Sequence, residues 1–130
     1  MSAEAERRTR SGEGSEQLAR RVAEIADSKQ AADLVALDVR ELVGYTDFLV
    51  ICTARNQRQA RAIQEEVRHA LKREGQLPAR VEGESEAEWV LLDYLDCVLH
   101  VFTPELRERY RLEQLWGEAD RLELGLADPS

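Results

Sequence analysis

The stretch WVLLDYLDCVLHVF, residues 89–102, decides the architecture, because two apolar runs suited to strands meet at an acidic turn. It reads as a β-hairpin with Asp93, Tyr94 and Asp96 at the bend. Strand alternation places Trp89, Leu91 and Asp93 on one face and Val90, Leu92 and Tyr94 on the other. Asp93 turns the Trp89 face toward water, and Tyr94 at the turn can expose its ring or its hydroxyl. Interface and core both stay open for these two aromatics, whereas Trp116, beside helical leucines, reads as core. From Glu82 to Asp96 the chain carries Glu82, Glu84, Glu86, Glu88, Asp93 and Asp96 with no Lys or Arg. One edge of the fold should therefore project a negative field suited to a basic protein.

Moving outward, Leu34–Val39 and Asp47–Thr53 are short apolar runs, as expected of strands covered on both faces. Asn56 can cap a helix whose stripe is Ala60, Ile63, Val67 and Leu71, with Gly75 suited to its end. Residues 79–82 form a modest strand, and Thr103-Pro104-Glu105 looks like a helix start. Leu115, Ala119, Leu122 and Leu126 continue at helical spacing, interrupted by Gly117. At the other end, Leu18, Val22 and Ile25 define a helix from Ser15 to about Lys29. Residues 1–15 read as a flexible tail, 16–126 as one domain and 127–130 as a C-terminal tail. The order of elements predicts an α/β fold, a mixed sheet of about five strands flanked by helices.

With 130 residues, 43% hydrophobic and 34% charged, the chain has the composition of one soluble globular domain. No apolar run reaches the roughly 20 residues of a spanning helix, and the N-terminus lacks an apolar signal region, so the cytoplasm is expected. A net charge of −8 argues against binding driven by nucleic-acid phosphate and favours a basic partner.

Catalysis is poorly supported. Asp93 and Asp96 would point apart in a continuous strand, and no phosphate-cradling loop accompanies them. His69 and His100 lack an evident nucleophile. Cys97 and His100 face opposite ways in a strand, while the relation of Cys52 to His100 is left open. Both cysteines read as buried hydrophobes, without a Cys-x-x-Cys or Cys/His cluster. Arg55, Arg58, Arg61, Arg68 and Arg73 share a helix with Glu65, Glu66 and Glu74. That pattern suits a solvated face, with Arg55 and Arg58 also able to meet a phosphate in a larger assembly.

The segments DLVALDVREL (33–42), TDFLVICTARNQRQARAI (46–63), EGESEAEWVLLDYLDCVLHVF (82–102) and YRLEQLWGEA (110–119) together resemble the ribosomal silencing factor, or Iojap-like, family. The resemblance covers about residues 17–120. It implies a nucleotidyltransferase-like fold without catalytic residues, hence a binding protein that needs no cofactor or metal. It further implies docking on the large ribosomal subunit through ribosomal protein L-fourteen, steric exclusion of the small subunit, and repression of translation when nutrients are scarce. Contact with rRNA would be secondary, and a homodimer is one open state of the free protein, whose oligomeric state the sequence does not test. Trp89, Asp93, Tyr94 and Asp96, with Glu82, are the implied contact residues. A nucleotidyltransferase-like enzyme and a generic dimerisation module are the alternatives. Ala54, Asn56, Ala87 and Leu95 depart from the family pattern, which usually has Gly, Ser, Gly and Gly there. If position 95 needs a positive φ, leucine carries a steric cost that glycine avoids.

Overall fold

The computed structural model describes the backbone of residues 3–126 and the side chains from residue 14 to 126 except 113. Two apolar runs form its centre. Strand β2 (Phe48–Thr53) and strand β5 (Cys97–Phe102) are buried at every position and lie parallel, with Phe48 opposite Cys97 and Thr53 opposite Phe102. β5 is also the second arm of the hairpin, pairing antiparallel with β4 (Trp89–Asp93) from Trp89↔Phe102 to Asp93↔Val98. Strand β3 (Arg80–Glu82) extends the sheet beyond β4, while β1 (Ala32–Asp38) and the short β6 (Asp120–Arg121) extend it beyond β2. The result is a mixed six-stranded sheet in the order β3-β4-β5-β2-β1-β6.

Helices cover both faces. Helix α1 (Ala3–Ser28) and helix α2 (Gln57–Arg73) bury Val22, Ile25, Ile63, Val67 and Leu71 against one face, meeting Phe48, Val50, Leu92 and Leu99. α2 begins as the sequence predicts, with Asn56 Oδ1 accepting from the Gln59 amide at 2.8 Å. α1 includes backbone from the stretch read as a tail, and residues 127–130 lie outside the described residues. On the other face, helix α3 (Pro104–Tyr110) and the single turn α4 (Leu112–Leu115) deliver Leu106, Leu112 and Trp116 onto Leu37, Leu49, Ile51 and Phe102. No helix among the described residues is long and apolar enough to cross a membrane.

The sixth strand replaces the helical continuation expected through Leu122. Arg111 takes a left-handed conformation, φ 39°, and ends α3; the chain then turns and pairs Arg121 with Leu37. Leu122 and Leu124 pack on the α1/α2 side of the core, a two-residue period that the longer helical spacing had masked. Thr103 precedes α3 as expected, but its side chain does not cap it. Its amide instead donates to the Glu88 carbonyl at 2.9 Å, fixing the helix to the start of the hairpin.

Candidate functional site

The hairpin register separates the residues singled out from sequence. Trp89 and Asp93 share the α3 face, and the pairings Glu82↔Leu91 and Arg80↔Asp93 put Glu82 there too. Tyr94 points the other way and is only 5% exposed, within the cluster built by α1 and α2. Its hydroxyl is buried without a hydrogen-bond partner among the described residues, and burial pushes its pKa up to about 12. Trp89 and Asp93 also sit at opposite ends of β4, about 13 Å apart at strand rise.

Trp89 is half-buried in an aromatic group that sequence reasoning only partly anticipated. Its ring packs at a tilt against Phe102, 4.9 Å between centroids, and Tyr110, 4.7 Å, and Nε1 donates to His100 Nδ1 at 3.0 Å. Tyr110, 48% exposed, was legible only as the first residue of the motif at 110–119. Accepting from Trp89 requires His100 to be neutral at Nδ1, and burial pushes its pKa down to about 4. His100 pairs with Ile51, so it faces away from Cys52, which lies with Cys97 in the opposite core cluster. Burial raises both thiols, Cys52 to about 12, leaving them protonated and unreactive at neutral pH.

At the turn, Asp93 Oδ1 accepts from the Leu95 amide at 2.8 Å, and Arg80 approaches its other oxygen at 3.9 Å. Leu95 adopts φ 71° and is 58% exposed between Asp93 and Asp96. Ala87 likewise takes φ 55°. Both positions therefore use the left-handed conformation for which glycine is the usual residue. Gly83, at φ 76°, has no such freedom to change, since a Cβ there would lie 2.0 Å from the Trp89 carbonyl oxygen.

The acidic approach to the hairpin is less free than its sequence implies. Arg68 binds Glu84 at 2.9 Å, Arg61 donates to the Ser85 carbonyl and Gln57 to that of Glu86. These bonds lay the loop along α2, so part of the arginine face is used to hold acidic backbone and side chain. The denser negative field lies at the end of the sheet where β2 and β5 begin. Asp93 and Asp96 are there, with Asp38, Glu41, Asp47, Glu118 and Asp120 around a cleft of about 820 Å³. Arg40 is the cation in its wall, and it is held by Asp38. Exposed Leu42 and Tyr45 lie in the same β1–β2 connection.

The described residues thus combine a mixed sheet with an acidic end and an aromatic cluster on its α3 face. The chain belongs to the ribosomal silencing factor family: the model described as "Ribosomal silencing factor during starvation" matches residues 12–129. A ribosomal silencing factor from Halalkalibacterium halodurans is 39% identical over 98 residues, covering 75% of this chain and 84% of the relative. The chloroplastic protein Iojap of Zea mays is 36% identical over 104 residues, 79% of this chain and 45% of that longer protein. A crystal structure of a protein from Chromobacterium violaceum superposes with TM-score 0.77 at 27% identity, covering 88% of this chain and 95% of the other.

Proposed function

We propose that this protein binds the large ribosomal subunit through ribosomal protein L-fourteen, blocks association with the small subunit, and so represses translation under nutrient limitation. Membership of the silencing-factor family supports a ribosomal role. The observation that carries the docking mode is the acidic end of the sheet, where Asp93 and Asp96 join the acids of the cleft. Basic protein is attracted to that end and exposed rRNA phosphate is repelled, which restricts the orientation of docking. Trp89, Asp93, Asp96 and Glu82 act as contact residues. Tyr94, with its ring in the core, acts by seating the hairpin turn. The protein works in the cytoplasm as a binding protein rather than an enzyme.

Sedimentation with separated subunits tests this reading. The protein should travel with large subunits and not with small ones, and Trp89→Ala should weaken that binding by about 1–2 kcal/mol, the hot-spot range. Equal affinity for both subunits would overturn the proposal. Incubation with nucleoside triphosphates and Mg²⁺ should give only background turnover.

A further inference from the structure

Lys29, Arg55 and Arg58 lie at the turns that end α1 and begin α2. Arg20, Arg21, Arg40, Arg68 and Arg111 are held by carboxylates at 2.6–3.4 Å. Lys29, Arg55 and Arg58 are exposed and, like Lys72, Arg73, Arg109 and Arg121, enter no ion pair among the described residues. The placement of the first three is nevertheless fixed by a buried side chain. Gln59, 7% exposed, accepts the Arg55 amide on Oε1 at 2.7 Å and donates from Nε2 to the carbonyls of Lys29 at 3.0 Å and Gln30 at 3.1 Å. One amide thus stitches the turn that ends α1 to the turn that begins α2, and holds the three cation-bearing residues at one corner of the helical layer.

We propose that this corner binds backbone phosphates of RNA at the margin of the ribosomal docking site; the inference rests on the ribosomal reading above. It lies where β2 ends, whereas the acidic cleft lies where β2 begins. Six residues of strand separate the two ends by about 20 Å, more than twice the Debye length of about 8 Å at physiological salt. The local charge of each end therefore governs what it meets, despite a net charge of −8. Guanidinium groups without internal partners keep their donor forks available, and that fork matches phosphate geometry. The two ends can accordingly engage different parts of one ribonucleoprotein surface, protein at the acidic end and phosphate at this corner.

The test measures affinity for purified large subunits against salt concentration. It compares the wild type, Arg55→Gln/Arg58→Gln, and Lys72→Gln/Arg73→Gln, which removes the same charge from the other end of α2. The Arg55/Arg58 variant should bind several-fold more weakly at low salt, converge with wild type at high salt, and show a salt slope smaller by about 1–2. The Lys72/Arg73 variant should retain the wild-type slope. A diazirine-bearing residue in place of Gln57 should crosslink to rRNA. Unchanged affinity and slope in the Arg55/Arg58 variant, an equal loss in both variants, or crosslinks to ribosomal protein alone would overturn the inference. Failure of the wild type to bind large subunits at all would be a different result, removing the ribosomal reading and this corner's role together.

Discussion

At the scale of single residues, the hairpin turn concentrates local costs. Leu95 occupies φ 71° with more than half its surface in water, so replacing it forfeits little burial. Leu95→Gly should raise stability by about 1 kcal/mol in urea unfolding, and Leu95→Ala, which keeps the Cβ, should give no such gain. Tyr94 carries a buried hydroxyl without a partner among the described residues. Tyr94→Phe should be neutral or stabilising by up to about 1 kcal/mol, because it removes a desolvated polar atom and keeps the ring; a loss larger than that would mean the hydroxyl is bonded in solution. His100 makes stability depend on pH in a defined window. Its folded pKa is depressed to about 4 from the ordinary 6.5, so below pH 6.5 the unfolded chain takes up a proton that the folded chain resists. This contribution is complete above pH 6.5 and is lost as pH falls from 6.5 toward 4, on the order of 3 kcal/mol. Urea midpoints across that range should fall for wild type and flatten in His100→Gln.

At the scale of elements, capping chemistry gives two unequal helix starts. Asn56 accepts a 2.8 Å bond from the Gln59 amide, so Asn56→Ala should cost about 1 kcal/mol. Thr103 makes no cap bond, and Thr103→Ala should cost clearly less in the same unfolding assay. The helices and strands with strong periodicity were legible in the sequence: the runs at 34–39 and 47–53, the stripe Ala60-Ile63-Val67-Leu71 and the hairpin all form elements where expected. What lay hidden depended on contacts between distant segments. The sixth strand exists because Leu122 and Leu124 find the core beside β1, a pairing that no local pattern specifies. The loop at 83–88 read as a free acidic edge, whereas Arg61 and Arg68, more than fifteen residues away in sequence, bind it. Strand alternation did separate Trp89 from Tyr94, yet which face belonged to water required knowing that α1 and α2 cover the Tyr94 side. Tyr110 joined the aromatic cluster only through the position of α3.

For the whole molecule, function follows from where charge and apolar surface lie relative to the strand axis. The acidic cleft, Asp93 and Asp96 occupy one end, and the Trp89–Tyr110 pair lies toward the other on the face covered by α3. In the docking proposed above, a domain of 130 residues on the subunit interface would exclude the small subunit by volume, without any chemical step. Order of addition tests that claim most directly. Large subunits incubated first with this protein and then with small subunits should give a reduced yield of joined ribosomes on a gradient, with the protein in the large-subunit peak. An undiminished yield of joined ribosomes that carry the protein would contradict the account.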